Sequence, residues 1–485
     1  MVLSQILKGD FFKNSLDFLK DYNPDIKGVT SDSRQVENGY IFVCQKGLRF
    51  DGHDHALEAE KNGAALIVCE RDIEGVKNRL IVPDTRYAYA ILCKNFFQIK
   101  DSDIKLIGVT GTNGKTSTTS IIKHILLQCS QKAGLVGTIQ NEIDDLVLPA
   151  KHTTPDSYAF SAMIKKMITA NCKYCVMEVS SHALDQKRTA GYEFLVSAFT
   201  NLTQDHLDYH KTMENYFLAK KKLFDVSKKA VINIDDSYGK ILAKELSDRL
   251  VSVSIENEKA DFFAKNIKIK ADGSHFDIVS KEGTHHIDFC MTGQFSVLNA
   301  LTAAAVCSTL GLPMEKIALA LNSCKGVKGR TEIIKSNASF PIIRDYAHTP
   351  DGILKILKGV REFSGDKRIV ILFGCAGNRD RKKRRIMAKA AAENSDFCIL
   401  TSDNPRDEDV MQIINDALPG FEEEKTPYKV IPDRYDAIKW ALENCTENDI
   451  LILAGKGHED YQVLDYGTIY FDEEEIVKRL TGYKN

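Results

Sequence analysis

The chain has 485 residues, 43% hydrophobic and 27% charged, and a formal net charge of -2. That length is too great for one ordinary core and predicts two to three domains, and the composition is that of a compact globular protein. A net charge so near zero lacks the basic excess of a nucleic-acid binder, which leaves the basic run at 379–385 as a local feature.

In chain order, the first residues carry only a brief apolar stretch before Lys8 and Asp10. It is too short for a signal-peptide core or a membrane span, so the expectation is a cytoplasmic protein without membrane insertion. Short apolar runs at 40–44 and 64–69 alternate with polar helical stretches and predict a small α/β domain over 1–103. A β-rich run at 106–110 then enters a glycine loop and a helical segment at 115–128, opening a central α/β domain over 104–333. Its further strands, at 173–179, 195–200 and 230–234, are apolar along their length, as parallel strands covered on both faces are. Strands at 341–344, 369–373, 397–401 and 450–454, separated by helical stretches, predict a Rossmann-like third domain over 334–485. The expected fold class is α/β in three domains, with a mostly parallel central sheet. The twelve cysteines show no spacing framework, and Cys44, Cys69 and Cys398 fall in apolar runs, so they read as reduced core residues. The lone pair Cys172 and Cys175 is a weak zinc or redox signal.

Gly108-Val109-Thr110-Gly111-Thr112-Asn113-Gly114-Lys115-Thr116 lies between a strand and a helix, where a phosphate-binding loop belongs. Glycines let backbone N–H groups curl around phosphates, and the helix N-terminus adds a positive dipole end. Lys115 can reach the transferred phosphate and the Thr116 hydroxyl can hold magnesium. The glycine spacing is one residue longer than in G-x-x-x-x-G-K-[ST], so the strand and helix context carries the assignment. Glu178 ends another strand, ahead of Ser180, Ser181 and His182, at the carboxyl end of the sheet where a carboxylate suits magnesium. A third strand runs into Asn201-Leu202-Thr203-Gln204-Asp205-His206-Leu207-Asp208-Tyr209-His210, whose acids and imidazoles suit either a metal or the capping of a helix. By composition, Ala219-Lys220-Lys221-Lys222 reads as a solvated basic helix face.

These segments, with His152-Thr153-Thr154-Pro155, Asp345-Tyr346-Ala347-His348-Thr349-Pro350-Asp351, Asp403-Asn404-Pro405-Arg406 and Gly455-Lys456-Gly457-His458-Glu459, resemble the Mur ligases from about residue 30 to the C-terminus. The resemblance implies an ATP-dependent amide-forming ligase of peptidoglycan precursor synthesis. It would join meso-2,6-diaminopimelate to the D-glutamyl carboxylate of UDP-N-acetylmuramoyl-L-alanyl-D-glutamate through an acyl phosphate, with L-lysine as the alternative amine. The first domain would hold the UDP end of that substrate, Ser31 and Ser33 lying near the nucleotide, and Thr153, Thr154, Ser180, Gln186 and Arg188 would line the muramoyl-peptide path. Gly111, Thr112, Asn113, Gly114, Lys115, Thr116 and Ser117 would bind ATP together with Asn299, Arg330 and Asp345. The catalytic set implied is Lys115, Glu178, His206 and Lys220, and Mg2+ would be held by Thr116, Glu178, His206 and Lys220. In the family the lysine matching Lys220 carries a CO2-derived carbamate, which no composition could reveal.

The same resemblance implies that Arg379, Asp403, Asn404, Pro405, Arg406, Gly455 and Glu459 bind diaminopimelate. Diaminopimelate differs from lysine by a far-end carboxylate, which the two-pronged Arg406 guanidinium suits, while Glu459 suits an ammonium group. The expected partners are small-molecule substrates alone, on a monomer. His152 stands where the family usually has Asn, Ser296 where Asn is common, and the neighbours of Arg379 in Gly377-Asn378-Arg379-Asp380 differ from the usual pattern. A sister ligase, adding a dipeptide or extending folate with glutamate, and a nucleotide-binding scaffold without turnover are the rival readings.

Overall fold

In the computed structural model, residues 1–13, 22–47, 50–422 and 424–484 are described. They pack as two compact units, one formed by Met1–Thr110, Ser130–Ser197 and Ala219–Lys229, the other by Gly111–Cys129, Ala198–Leu218 and Ala230–Asn485.

The first unit begins with a parallel sheet of four strands, Gly28–Thr30, Tyr40–Val43, Leu66–Cys69 and Arg79–Ile81, paired in that order. Successive side chains leave opposite faces. Ile41, Val43, Leu66 and Val68 therefore share one core with Leu92 and Ala88 of the helix Thr85–Phe96. Phe42, Ile67 and Cys69 pack on the other face against Ala56 and Ala59. Further on, the strand Tyr174–Glu178 pairs in parallel with both Lys105–Thr110 and Ala133–Val136. Register places Glu178 opposite Val109, so the strand delivers that carboxylate to the edge at which the phosphate-loop strand ends.

In the second unit the strands Ser227–Asn233 and Leu250–Ser254 pair in parallel from Ala230 onward, and three antiparallel strands, Phe262–Lys270, Gly273–Ser280 and Gly283–Phe289, extend them. The helix Gln294–Thr309, rich in alanine, is buried on most of its surface. A second sheet runs in the order Glu332–Ile333, Ile342–Asp345, Asp449–Ala454, Arg368–Cys375, Phe397–Ser402 and Tyr428–Val430, with only the first pairing antiparallel. Helices cover both faces: Ile353, Ile356 and Leu357 meet Ile371 and Phe373 on one side, while Ala437, Ile438 and Ala441 meet Val370 and Leu372 on the other. Thr349 caps the helix Pro350–Ser364, its hydroxyl accepting from Gly352 N–H at 3.0 Å, with Pro350 at the first helical position. Four adjacent parallel strands of this sheet end at Asp345, Ala454, Cys375 and Ser402, and the loops that follow them carry the residues expected to meet the amino acid.

One buried ion pair fixes the end of that sheet. Arg434, wholly buried, donates to Glu473 at 2.9 Å and to the carbonyls of Ser402 and Ala454 at 3.1 and 2.8 Å, holding two strand ends together. Arg434→Met should lower stability by about 3–5 kcal/mol, because Glu473 is left charged and buried without its partner. Urea unfolding followed by circular dichroism measures this, and a loss under about 1 kcal/mol would contradict the role assigned to the pair.

Candidate active site

The strand Lys105–Thr110 leads through residues 111–114 into the helix Lys115–Gln128. Two glycines are required by geometry. Gly114 has φ +84°, and a Cβ there would lie 2.4 Å from Asn299 Oδ1; Gly111 has φ +152°, and its Cβ would lie 1.9 Å from Thr200 Oγ1. The loop is stitched to the segment after the strand Phe194–Phe199: Thr112 N–H donates to Asn201 O at 2.9 Å and Asn113 N–H to Asn201 Oδ1 at 3.0 Å. Thr200 donates to Asn113 O at 2.6 Å. Lys115 Nζ lies over the loop, donating to the carbonyls of Gly111 and Thr112 at 2.9 Å each. Thr118 donates to Asn299 Oδ1 at 3.4 Å, so the helix Gln294–Thr309 braces the loop from behind. Ser296, one turn earlier, is buried and bonds the Thr292 carbonyl at 2.8 Å, a backbone partner close by in the chain.

Arg330 reaches this loop. Its Nη2 donates to Thr116 Oγ1 at 3.0 Å, and its guanidinium lies 4.6 Å from the centroid of the Tyr346 ring. Its Nε is buried with no hydrogen-bond partner. A buried donor of that kind beside a phosphate loop fits a phosphate oxygen. Asp345 accepts from Thr331 N–H at 2.7 Å; burial pushes its carboxyl up, opposed by the Arg330 charge. Asp351, in the first turn of its helix, accepts from Asn113 Nδ2 at 2.6 Å and from Thr203 at 3.2 Å, pinning the loop tip.

Asp205 and His206 follow the strand Phe194–Phe199. His206 occupies the residue before the short helix Leu207–His210 with φ +54° and makes no capping bond, so capping does not account for it. Its Nε2 lies 3.5 Å from Asp205 Oδ2. Burial raises the Asp205 carboxyl, but Lys383 at 3.2 Å and the neighbouring imidazoles outweigh it and hold the group well below the usual carboxylate range.

The last group of residues is gathered at the carboxyl ends of the parallel strands. Glu459 accepts from Tyr346 Oη at 3.2 Å, from Asn404 Nδ2 at 2.9 Å and from Lys456 Nζ at 2.9 Å. A two-stranded hairpin, Tyr461–Leu464 with Gly467–Tyr470, clasps the 403–406 loop. Val463 N–H donates to Asn404 Oδ1 at 3.0 Å, Arg406 N–H donates to Val463 O at 3.0 Å, and Gln462 bonds Ser402 Oγ and Asp403 O. Arg406, at φ +55°, donates through Nη1 to Gly377 O at 2.6 Å. Burial lowers its pKa, and the adjacent positive charge of Arg379 lowers it further. Neither arginine is in an ion pair among the described residues. Glu408 accepts from Asn378 N–H at 2.5 Å and pairs with buried Arg384 at 2.8 Å, shaping the loop that carries Arg379.

In the first unit, Glu178 is held from two sides. Thr138 N–H donates to Oε1 at 2.7 Å and the Thr138 hydroxyl to Oε2 at 3.0 Å, with Thr153 Oγ1 3.0 Å from Thr138 Oγ1. Thr154 donates to the Glu178 carbonyl at 2.8 Å and accepts from Ser180 N–H at 3.0 Å. Arg188 donates to Thr154 O at 2.7 Å, while Gln186 Oε1 accepts from its Nε and Nη2 at 3.1 and 2.8 Å. Together these residues form one polar network. Ser31 lies apart from it in the sequence and hydrogen-bonds Tyr89, and Ser33 opens the turn Ser33–Gln35 that Asp32 caps. His152 is exposed. Lys220 is 1% exposed, Lys221 half-buried and Lys222 exposed and paired with Asp185 at 2.9 Å, so the basic run is not one solvated face.

Three domain descriptions match this chain: Mur ligase family, catalytic domain, at residues 25–96; Mur ligase middle domain at 109–307; and Mur ligase, glutamate ligase domain, at 329–457. A Clostridium botulinum protein named UDP-N-acetylmuramoyl-L-alanyl-D-glutamate–2,6-diaminopimelate ligase is 44% identical over 471 residues, covering 96% of each chain. The chain belongs to the Mur ligase family. A relative of the same name from Caldanaerobacter subterraneus is 44% identical, covering 94% of this chain and 95% of the relative. A solved structure titled as that ligase superposes with TM-score 0.69 at 31% identity, over 94% of this chain and 95% of the other. This Mur ligase has the three-domain α/β architecture with mostly parallel sheets.

Sequence reasoning missed several contributors to these clusters in these roles: Thr138 in the first unit, and Tyr346, Asp351, Lys456 and the hairpin residues Gln462 and Val463 in the second. Tyr346, Asp351 and Lys456 stand inside the motifs that carry the family resemblance, and the signal available was their placement just after strand ends. Arg330→Met keeps the length of the side chain but removes its fork. It should weaken ATP-analogue binding about 10- to 150-fold, the equivalent of one lost charged hydrogen bond of about 1.5–3 kcal/mol. Fluorescence titration with a labelled nucleotide measures the change, and wild-type affinity would remove Arg330 from the nucleotide site.

Proposed function

We propose that this Mur ligase joins meso-2,6-diaminopimelate to the D-glutamyl γ-carboxylate of UDP-N-acetylmuramoyl-L-alanyl-D-glutamate, consuming ATP and releasing ADP and phosphate. The observation that carries the choice of amine is the pair Arg379 and Arg406, two guanidiniums close enough to interact and in no ion pair among the described residues. Like charges at short range favour an anion, and the forked donors match a carboxylate. Diaminopimelate brings one at its far end; lysine does not, and would leave both guanidinium forks without that partner. Glu459, fixed by three donors, suits the ammonium end.

A free carboxylate is a poor electrophile, because its oxygen does not leave. In the proposed sequence a substrate carboxylate oxygen attacks the γ-phosphorus, the bond to the β-phosphate oxygen breaks and ADP departs. The amine then attacks the acyl carbon, the tetrahedral adduct expels phosphate, and the nitrogen loses a proton. Loop N–H groups, the helix N-terminus and Lys115 hold the phosphates, Arg330 adds a forked cation, and Asn299 and Asp345 complete the nucleotide contacts. On the acceptor side, Arg188, Gln186, Ser180, Thr153 and Thr154 are proposed to line the muramoyl-peptide path and Ser31 and Ser33 to meet the UDP end.

Magnesium is proposed on Thr116, Glu178, His206 and a carbamylated Lys220. Hard oxygen donors and an imidazole suit that ion, and a carbamate on the buried Lys220 would add oxygen donors of the same kind. The ion supplies neutralisation of charge on the transferred phosphoryl group. The proposed division of labour is UDP binding over 1–103, ATP binding over 104–333 and amino-acid binding over 334–485, in a cytoplasmic monomer. No described helix is long and apolar enough to cross a membrane.

ADP release from the purified protein, with magnesium, ATP and the UDP-muramoyl dipeptide, tests the reading directly. Diaminopimelate should support turnover with kcat/KM at least about 100-fold above that of L-lysine, D-alanyl-D-alanine or glutamate. Preference for any of the other amines would overturn it. In the same assay, Arg406→Ala should raise the KM for diaminopimelate by about 100-fold, as loss of a two-pronged charged contact does, and leave the KM for ATP within about twofold. Equal effects on both would remove the selectivity argument.

A further inference from the structure

Tyr346 stands between the two ends of the second unit's site, and the functional reading above gives it no part. Its ring is the seat of the Arg330 guanidinium, 4.6 Å from centroid to carbon, and Arg330 in turn donates to Thr116 of the phosphate loop at 3.0 Å. Its hydroxyl donates to Glu459 Oε1 at 3.2 Å, and Glu459 is the carboxylate that Asn404 and Lys456 hold in place beside the 403–406 loop. Burial and the Glu459 charge push the phenol well above its ordinary range, so it remains a donor at every working pH. The ring has little freedom to move. His348 and His458 pack against it with centroids at 4.6 and 4.8 Å, and the backbone of Gly457 comes so close that a Cβ there would lie 2.7 Å from Tyr346 Cβ. His458 is held neutral, its pKa pushed down to about 3 by burial and then by Arg330, so it adds no competing cation to the face that Arg330 occupies.

We infer that Tyr346 is a positioning residue that couples the two ligands: a phosphate group on Arg330 sets the guanidinium on the ring, and the ring hydroxyl sets Glu459 for the incoming amine. The inference rests on the functional reading above for the phosphate on Arg330 and for the amine at Glu459, but not on which amine that is. A cation held on an aromatic face and a hydrogen bond from that same ring form one rigid body with two contacts. Ordering one contact reduces what remains to be ordered at the other, and the effect must run equally in both directions.

The test separates the two contacts. Tyr346→Phe keeps the ring under Arg330 and deletes only the donor to Glu459; Tyr346→Leu deletes both. The full-length protein, with the UDP-muramoyl dipeptide present throughout, is titrated calorimetrically with whichever amine the ADP-release assay accepts, with and without a non-hydrolysable ATP analogue and magnesium. Wild type should bind the amine about five- to tenfold more tightly with the nucleotide loaded, within the usual span of site-to-site coupling. In Tyr346→Phe that ratio should fall below about twofold, with the KM for the amine raised about fivefold and the KM for ATP within about twofold of wild type. Tyr346→Leu should raise both KM values. A residue that served only to pack the core would shift the melting temperature and leave the ratio alone. The inference is overturned if Tyr346→Phe keeps the wild-type ratio, or if wild type shows no dependence on the nucleotide. An amine other than diaminopimelate in the release assay would sink the functional reading and leave the coupling to be decided by the binding ratio alone.

Discussion

The guanidinium of Arg330, laid on the Tyr346 ring and bonded to Thr116, is the contact that ties the second unit's glycine loop to the loops at the carboxyl ends of its parallel strands. It depends on close backbone approach: a Cβ on Gly329 would fall 2.1 Å from His458 N, so these two loops touch where no side chain fits between them. Thr331, next in the chain, is tied to Asp345 at the carboxyl end of its strand. Each partner therefore has its place set by a strand end or a tight loop before Arg330 is added, and a cation so placed acts in a poorly solvated setting where its charge is felt strongly.

The first unit orients its carboxylate with hydroxyl and backbone N–H donors. Glu178 is aimed by Thr138 from one side, and the backbone around it by Thr154 and Ser180 from the other. A Cβ on Gly137 would stand 2.8 Å from Glu178 Oε1, so the approach of the 137–138 backbone is itself part of what orients the acid. Such pre-arranged groups need little reorganisation when charge moves.

The parallel strands were legible because burial on both faces removes polar alternation, as in Leu66–Cys69 and Asp449–Ala454, where every residue is buried. The phosphate loop was legible from its neighbours, a strand before and a helix after. Composition misread Lys220, because a run of lysines says nothing about which of them a helix turns inward; Lys220 is buried while Lys222 is exposed two residues later. Asp351 and Asn113 are 238 residues apart and Thr116 and Arg330 are 214 apart, and no local pattern encodes contacts of that separation. The hairpin over the 403–406 loop escaped for a related reason. Its strands are short and largely exposed, and their value lies in backbone groups that grip Asn404 and Arg406, which sequence periodicity does not report.

Charge around the 403–406 loop is divided in a way that suits a doubly zwitterionic amine. Lys456, wholly buried, cancels much of the Glu459 charge at 2.9 Å, so that carboxylate is a weaker lure for a simple cation than it would be alone. Arg406 is destabilised by burial and by the Arg379 charge, and the charges of Asp403 and Glu459 oppose this. Neither guanidinium is in an ion pair among the described residues, so the pair is where a carboxylate is best received. A molecule carrying only an ammonium group at its far end meets the wrong sign there, while one carrying an additional carboxylate relieves a repulsion the protein has already built in. Discrimination of this sort needs no steric exclusion, since the penalty for the wrong amine is present before it arrives.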